Sequence, residues 1–311
     1  MEFRKLISFG KTSFVMSIPK TWIVKNKLQK GDLIGLEEKE GNLLLSPKTT
    51  NFGQNIEKTE LDVTELDPFL FRSLAAVYKS GYDEVELKFD SPDLIRDIPK
   101  QMTDLLPGYE LLEQSGKRCV IKDLGHQLGT EFNNVLRRLF IVTVSMAKTT
   151  LETLKEGKKE NLPDVLSLEQ TNNRLCNFCE RILNKKGYKN YKKTTFVYNI
   201  VWELEKVADQ LKYMCTYLYE AKVKKVKISK EALDLFRQVT ESIVRFYELF
   251  YKYDKGKIRK LAEARKSIIH EANVLFERKT ENRFEVRLIH HLINIQQMVF
   301  NMLGCYLGMV V

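Results

Sequence analysis

Apolar positions change their spacing twice along the chain. From residue 125 onward they recur every three or four residues, the spacing of helices with one buried face. The pattern predicts helices near 126–156, 163–185, 192–221, 229–253, 256–279 and 283–309. Glycine, proline or lysine-rich breaks at 157–163, 185–193, 222–230, 253–256 and 279–282 separate them, and six helices invite a reading as two sets of three. Before this region the period falls to that of strands. Strands are expected at 57–63 and 84–89, with a hairpin of 109–113 and 117–121 turning at Ser115-Gly116. Asp67-Pro68 and Ser91-Pro92 each place a capping residue before a proline at a first helical position, and Gly81 ends the first of these helices. That stretch is a small α/β module. The first 50 residues read as short strands around Gly10, Lys30-Gly31-Asp32 and Glu40-Gly41-Asn42, with only 21–28 helical. The expected fold class is multidomain α+β, with domains at 1–50, 51–123 and 124–311.

Size and charge sharpen this picture. A segment of about 50 residues built from short strands cannot bury enough apolar surface alone, so the N-terminal part is expected to pair with a second copy. Of 51 basic and 41 acidic residues, giving a net charge of +10, the surplus is concentrated at the front. Arg4, Lys5, Lys11, Lys20, Lys25, Lys27 and Lys30 face a single acid, Glu2, within the first 30 residues. An acidic partner such as nucleic acid is therefore favoured over an acidic substrate. Five cysteines in apolar settings suggest a reducing compartment rather than a disulfide framework. The longest apolar runs, 140–147 and 302–311, fall short of the ~18 residues that a membrane span needs, and no signal peptide opens the chain. The expectation is a cytoplasmic protein without membrane insertion.

The stretch FGKTSFVMSIPKTWIVKNKLQKGDLIGLEEKEGNLLLSP orders a glycine-started basic loop, an apolar strand, Ile18-Pro19-Lys20, a short amphipathic helix, a Lys-Gly-Asp turn and a closing hairpin. It resembles the AbrB/SpoVT/MazE-type swapped-hairpin DNA-binding family over about 45 residues. That resemblance implies a dimeric β-barrel built from two interlocked chains, with double-stranded DNA as partner. The positions carried over are Arg4, Lys5, Lys11, Thr12, Ser13 and Lys20, where amines neutralise phosphates and hydroxyls donate to phosphate oxygens.

In VWELEKVADQLKYM, Glu205 and Asp209 project from one helical face beside Leu204, Val207, Ala208 and Leu211. Carboxylates beside an apolar seam need a cation, either a basic side chain or a metal. The segment resembles the metal-binding box of PhoU, the phosphate-signalling family of two three-helix repeats, and the helical region matches that architecture in length and helix number. The resemblance implies a carboxylate site of Glu169, Glu205 and Asp209 for Mg, Mn or Fe. Asn173 stands where a fourth carboxylate is expected, and Ile293 and Gln297 replace both acids of the second site, which is expected to be lost. Cys176 and Cys179 lack two further zinc ligands, His270-Glu271 lacks the second histidine of a zinc peptidase, and no nucleophile elbow or phosphate loop occurs, so no enzyme is expected. The basic turns around Lys185-Lys186, Lys192-Lys193 and 222–230 read as solvated helix ends or as a further anion-contacting surface. Together the two resemblances imply a homodimeric transcription regulator of phosphate uptake. The alternative they allow is a PhoU-like adaptor docking on a phosphate transporter ATPase or signalling protein, with the N-terminal part serving only for dimerisation.

Overall fold

The computed structural model describes residues 2–39, 41–47, 56–66, 69–91, 93, 96, 98–125, 131–157, 162–220, 228–278 and 282–310. It divides into two compact units, Met1–Ile56 and Glu57–Val311.

In the first unit β1 (Ile7–Phe9) and β2 (Ser13–Val15) form an antiparallel hairpin that pairs Ile7 with Val15 and Phe9 with Ser13. Gly10, at φ 74°, starts the turn between them. A short helix, α1 (Lys20–Lys25), follows Pro19, and β3 (Ile34–Lys39) and β4 (Asn42–Pro47) make a second antiparallel hairpin through Gly41. The order of elements is the one the apolar pattern predicts. The strand expected to run to Ile18 stops at Val15, because β1 offers no partner beyond Ile7. The helix expected to reach Leu28 stops at Lys25, where Lys27 turns left-handed at φ 53° and the Leu28 amide bonds back to the Ile23 carbonyl at 3.0 Å. Among the described residues, neither two-stranded sheet closes into a barrel.

The second unit opens with a four-stranded sheet of β5 (Lys58–Asp62), β6 (Glu84–Lys88), β7 (Tyr109–Ser115) and β8 (Arg118–Asp123) in the order β5-β6-β8-β7. β5 and β6 run parallel and the other pairs antiparallel. Two-residue alternation gives each face its chemistry. Val85, Leu87, Cys119 and Ile121 share an apolar cluster with Leu74 and Tyr78 of α2 (Leu70–Ser80) and with Ile98 and Met102 of α3 (Ile98–Leu105). The other face is a ladder of ion pairs, Lys58–Glu84 and Lys88–Glu60 at 2.6 Å and Arg118–Glu86 at 3.0 Å. Gly81 ends α2 in the left-handed conformation, as expected, while Asp67-Pro68 and Pro92 lie outside the described residues. Of the second helix the described stretch is Ile98–Leu105, and its predicted start at Ser91-Pro92 runs into residues 92, 94, 95 and 97, which lie outside the described residues.

Six long helices follow: α4 (Phe132–Glu156), α5 (Leu162–Lys186), α6 (Thr194–Glu220), α7 (Lys230–Tyr251), α8 (Lys255–Glu277) and α9 (Arg283–Val310). Their bounds lie close to those predicted, except that 126–130 lie outside the described residues and a 3-10 turn at Tyr191–Lys193 precedes α6. Starts are fixed by caps: the Ser229 hydroxyl accepts from the Ala232 amide, and the Asp254 carboxylate from the Lys257 amide. α4, α5 and α6 pack on one another, as do α7, α8 and α9, and α6–α9 and α4–α7 contacts join the sets. One apolar core runs through all six, including Phe140, Leu204, Phe236, Phe246 and Leu292. α2 and α3 pack on α5, which makes the α/β module and the helices one unit. Among the described residues no helix is long and apolar enough to cross a membrane.

Candidate functional site

Each of the six expected DNA-contacting residues is exposed. Lys11 and Thr12 form the tip of the β1–β2 hairpin and Ser13 is the first residue of β2. Arg4 and Lys5 precede β1, and Lys20 starts α1 after β2 has ended, so these three sit on the segments leaving the open end of the hairpin. The structure thus gathers Lys11, Thr12 and Ser13 and places the other three apart from them. Arg4 pairs with Glu2 at 2.8 Å, an exposed contact that holds little energy and yields readily to a phosphate.

The same unit leaves its apolar side chains bare. Phe3, Leu6, Ile7, Phe9, Phe14, Val24, Leu36 and Leu43 each keep between 60% and 85% of their surface exposed. Leu28 is its one buried large hydrophobe among the described residues. Exposed apolar area on this scale marks an interaction surface rather than a finished core.

The three carboxylates expected to hold a metal are strung along two amines rather than gathered at one point, with Asp209 the acid that both amines share. Lys212 Nζ, one helical turn beyond Asp209, donates to Asp209 Oδ1 and to Glu169 Oε1 of α5, both at 2.7 Å. Lys206 reaches Glu205 at 2.7 Å and Asp209 at 3.5 Å. Asn173, in the fourth place, donates its amide to Glu169 Oε1 at 2.7 Å. Burial on its own would lower the Lys212 pKa; the hydrogen bonds to Asp209 and Glu169 and their charges outweigh it and hold the amine well above its ordinary value. Burial also opposes the charged form of Lys206, and its bond and attraction to Glu205 outweigh that and raise its pKa. A divalent ion fits this arrangement poorly: Lys212 Nζ already sits between the two best-buried carboxylates. Among the described residues no group of three or more His, Cys, Asp and Glu side chains is set to hold a metal. The neutralising lysines come from α6 itself, at three-residue spacing that is visible in the sequence. In the second half Gln297 accepts two hydrogen bonds from Arg265 of α8, at 2.9 and 3.3 Å, so an internal cation again faces the corresponding position.

Paired charges continue beyond this cluster. Lys206 and Lys79 both lie near Trp202, 4.8 and 5.6 Å from its ring centroid, and Lys79 pairs with the buried Glu180 at 3.1 Å. Burial raises the Glu180 pKa and Lys79 opposes that rise. Arg181, the most deeply buried cation among the described residues, has no local sequence signal. Its guanidinium bonds to Asp123 at 2.8 Å, to Asp83 at 3.2 Å and to the Tyr78 carbonyl at 2.8 Å, and it lies 4.8 and 5.2 Å from the Tyr78 and Tyr109 ring centroids. Lys185 also reaches Asp83. This node fastens α5 to the α/β module. Cys176 and Cys179 are buried and their pKa values are driven upward by burial, which keeps both as inert thiols. His291 binds Gln210 of α6 at 2.8 Å. No family model, no curated protein and no solved structure matches the chain.

Proposed function

We propose that the protein is a DNA-binding transcription regulator in which two N-terminal units combine into one swapped-hairpin barrel of the AbrB/SpoVT type. The observation that carries this reading is the coincidence, within one small unit, of eight bare hydrophobes with an acid-poor, exposed basic turn. A second copy covers the hydrophobes, since among the described residues the unit offers its two two-stranded sheets only the six-residue helix α1 to pack against. Closure of two copies repeats the Lys11–Ser13 turn about a two-fold axis, and the site read on DNA is then a pair of half-sites. The six-helix region, PhoU-like in helix number and grouping, acts as the sensing or partner-docking part, and the regulated process by that resemblance is phosphate uptake. Its acidic cluster serves to hold α5 to α6 through Lys212, with no step passing through a metal.

Gel-shift titration of the full-length protein over a salt series tests the proposal. Binding is expected to weaken steeply with salt, and Lys11→Ala with Lys20→Ala to reduce the slope of log affinity against log salt by about 0.9 for each phosphate deprived of its lysine. An unshifted promoter fragment at low ionic strength favours the adaptor alternative.

A further inference from the structure

Helix ends crowd one end of the helical region. α4, α6 and α8 start there and α5, α7 and α9 finish there: Phe196 in the first turn of α6 lies against Gly308 near the end of α9, and the Phe250 ring closing α7 is 6.3 Å from Tyr306. Two turns cross this end. The α5–α6 turn carries Lys186, Lys189, Lys192 and Lys193, and no acidic residue occurs from Arg181 to Trp202. The α7–α8 turn carries Lys252 and Lys255, with Arg259 and Lys260 following on α8. Both turns rest on the beginning of α4. Tyr188 meets Phe132 edge-on at 6.0 Å, and Tyr251 meets Phe140 edge-on at 5.9 Å with the Arg137 guanidinium 5.5 Å away. Phe132 and Phe140 lie about 12 Å apart along α4, so the two turns meet the same helix about two helical turns from each other.

The charge on these turns is largely unneutralised. Lys185 is engaged by Asp83 and Lys257 by Glu248, while among the described residues no ion pair involves Lys186, Lys189, Lys192, Lys193, Lys252 or Lys255. The carboxylates at this end, Glu131 before α4 and Asp254 capping α8, leave these six lysines in excess. Tyr191 and Tyr253 present their rings among the lysines at 70% and 52% exposure. Gathering like charges costs repulsion that a polyanion removes. Lysine, which protein interfaces deplete, is the commonest residue of both turns, 184–193 and 251–257, and favours a polyanion over a protein partner.

We propose that this end of the six-helix region is a second contact surface for the phosphate backbone of duplex DNA, separate from the N-terminal turn. It deepens the regulator reading and rests on it. Lysines on the two turns neutralise backbone phosphates, and the exposed Tyr253 phenol donates to a phosphate oxygen, so the surface adds affinity without sequence choice.

Fluorescence anisotropy of full-length protein on a promoter-sized duplex over a salt series tests it. The variant Lys189→Ala/Lys192→Ala/Lys252→Ala, with melting temperature unchanged, is expected to lower the salt slope by about 2.7, one phosphate for each of the three lysines. The Lys11→Ala/Lys20→Ala protein is expected to keep a residual salt-dependent binding that the further triple substitution abolishes. An unchanged slope in the triple variant, with wild-type protein still binding, overturns this surface and leaves the N-terminal reading standing. A wild-type protein that leaves the duplex free at low ionic strength overturns both. Displacement of DNA from the Lys11→Ala/Lys20→Ala protein by polyglutamate, as effectively as by competitor DNA, overturns the assignment to nucleic acid in favour of an acidic protein.

Discussion

The two compact units of this chain use the same kinds of hydrophobic residue to opposite ends. In Glu57–Val311 they close into two apolar clusters, one beneath the four-stranded sheet and one through six helices. In Met1–Ile56 Ile7, Phe9, Phe14, Leu36, Leu43 and Leu44 of the two small hairpins stay in solvent, and among the described residues Leu28 alone of the large hydrophobes is fully buried. The difference lies in layers rather than in composition. A helix of 25 residues such as α4 finds α5, α6 and α7 to cover it, whereas a three-residue strand paired with one neighbour has a face and nothing opposite. Apolar content therefore shows that a segment will be buried without showing by whom.

The sharpest break in that comparison is Phe14→Asp. If a second copy covers the N-terminal face, the substitution removes a buried ring twice per dimer, about 1.5–3 kcal/mol each, and weakens association roughly 100-fold or more by sedimentation equilibrium. Helical circular dichroism and the melting of the second unit are expected to stay as they were. Arg181→Met attacks the other side. It leaves Asp83 and Asp123 buried without their guanidinium, and thermal unfolding should show a loss near the lower end of about 3–5 kcal/mol, since Lys185 still holds Asp83. Association through the first unit should not change.

Lys212→Met is the next smaller step. With Glu169 and Asp209 largely buried and the amine partly exposed, the loss expected in denaturant titration is about 2 kcal/mol. Adding Asp209→Asn should recover part of it, a coupling that a double-mutant cycle reads directly. The smallest effect concerns pH. Because the folded state holds the Lys212 proton more tightly than the unfolded state, its stabilisation is complete below its ordinary value of 10.5 and is lost as pH rises beyond that. The gap in stability between wild type and Lys212→Met should accordingly be flat from neutral pH upward and narrow above 10.5.

Much of the architecture is legible in spacing alone. The helical period places all six long helices because each buries one face, and Gly81 and Gly157 mark helix ends through left-handed backbone that other residues resist. Strand and short-helix limits in the first unit are less legible, since Met16 to Ile18 look like strand but lack a partner to pair with. The acidic cluster is half legible. Glu205 and Asp209 share a face by spacing, and Lys212 lies three residues on, but its reach across to Glu169 of α5 depends on helix packing. Arg181 shows the limit most clearly: its partners Asp83 and Asp123 lie far away in the chain, and no local pattern distinguishes it from a surface arginine. The two basic turns are each visible as lysine runs; that both rest on α4 is a property of the folded helices.

Two glycines one turn apart in the last helix face unlike neighbours. A methyl group placed on Gly308 would come 2.6 Å from Phe196 Cζ, while one on Gly304 would meet nothing within 4 Å. Mutational tolerance along this helix is consequently uneven at single-residue grain: position 304 accepts alanine with a gain in helical propensity, and position 308 stays closed to any side chain unless an aromatic ring gives way. A library screen of the C-terminal residues would enrich the first change and purge the second.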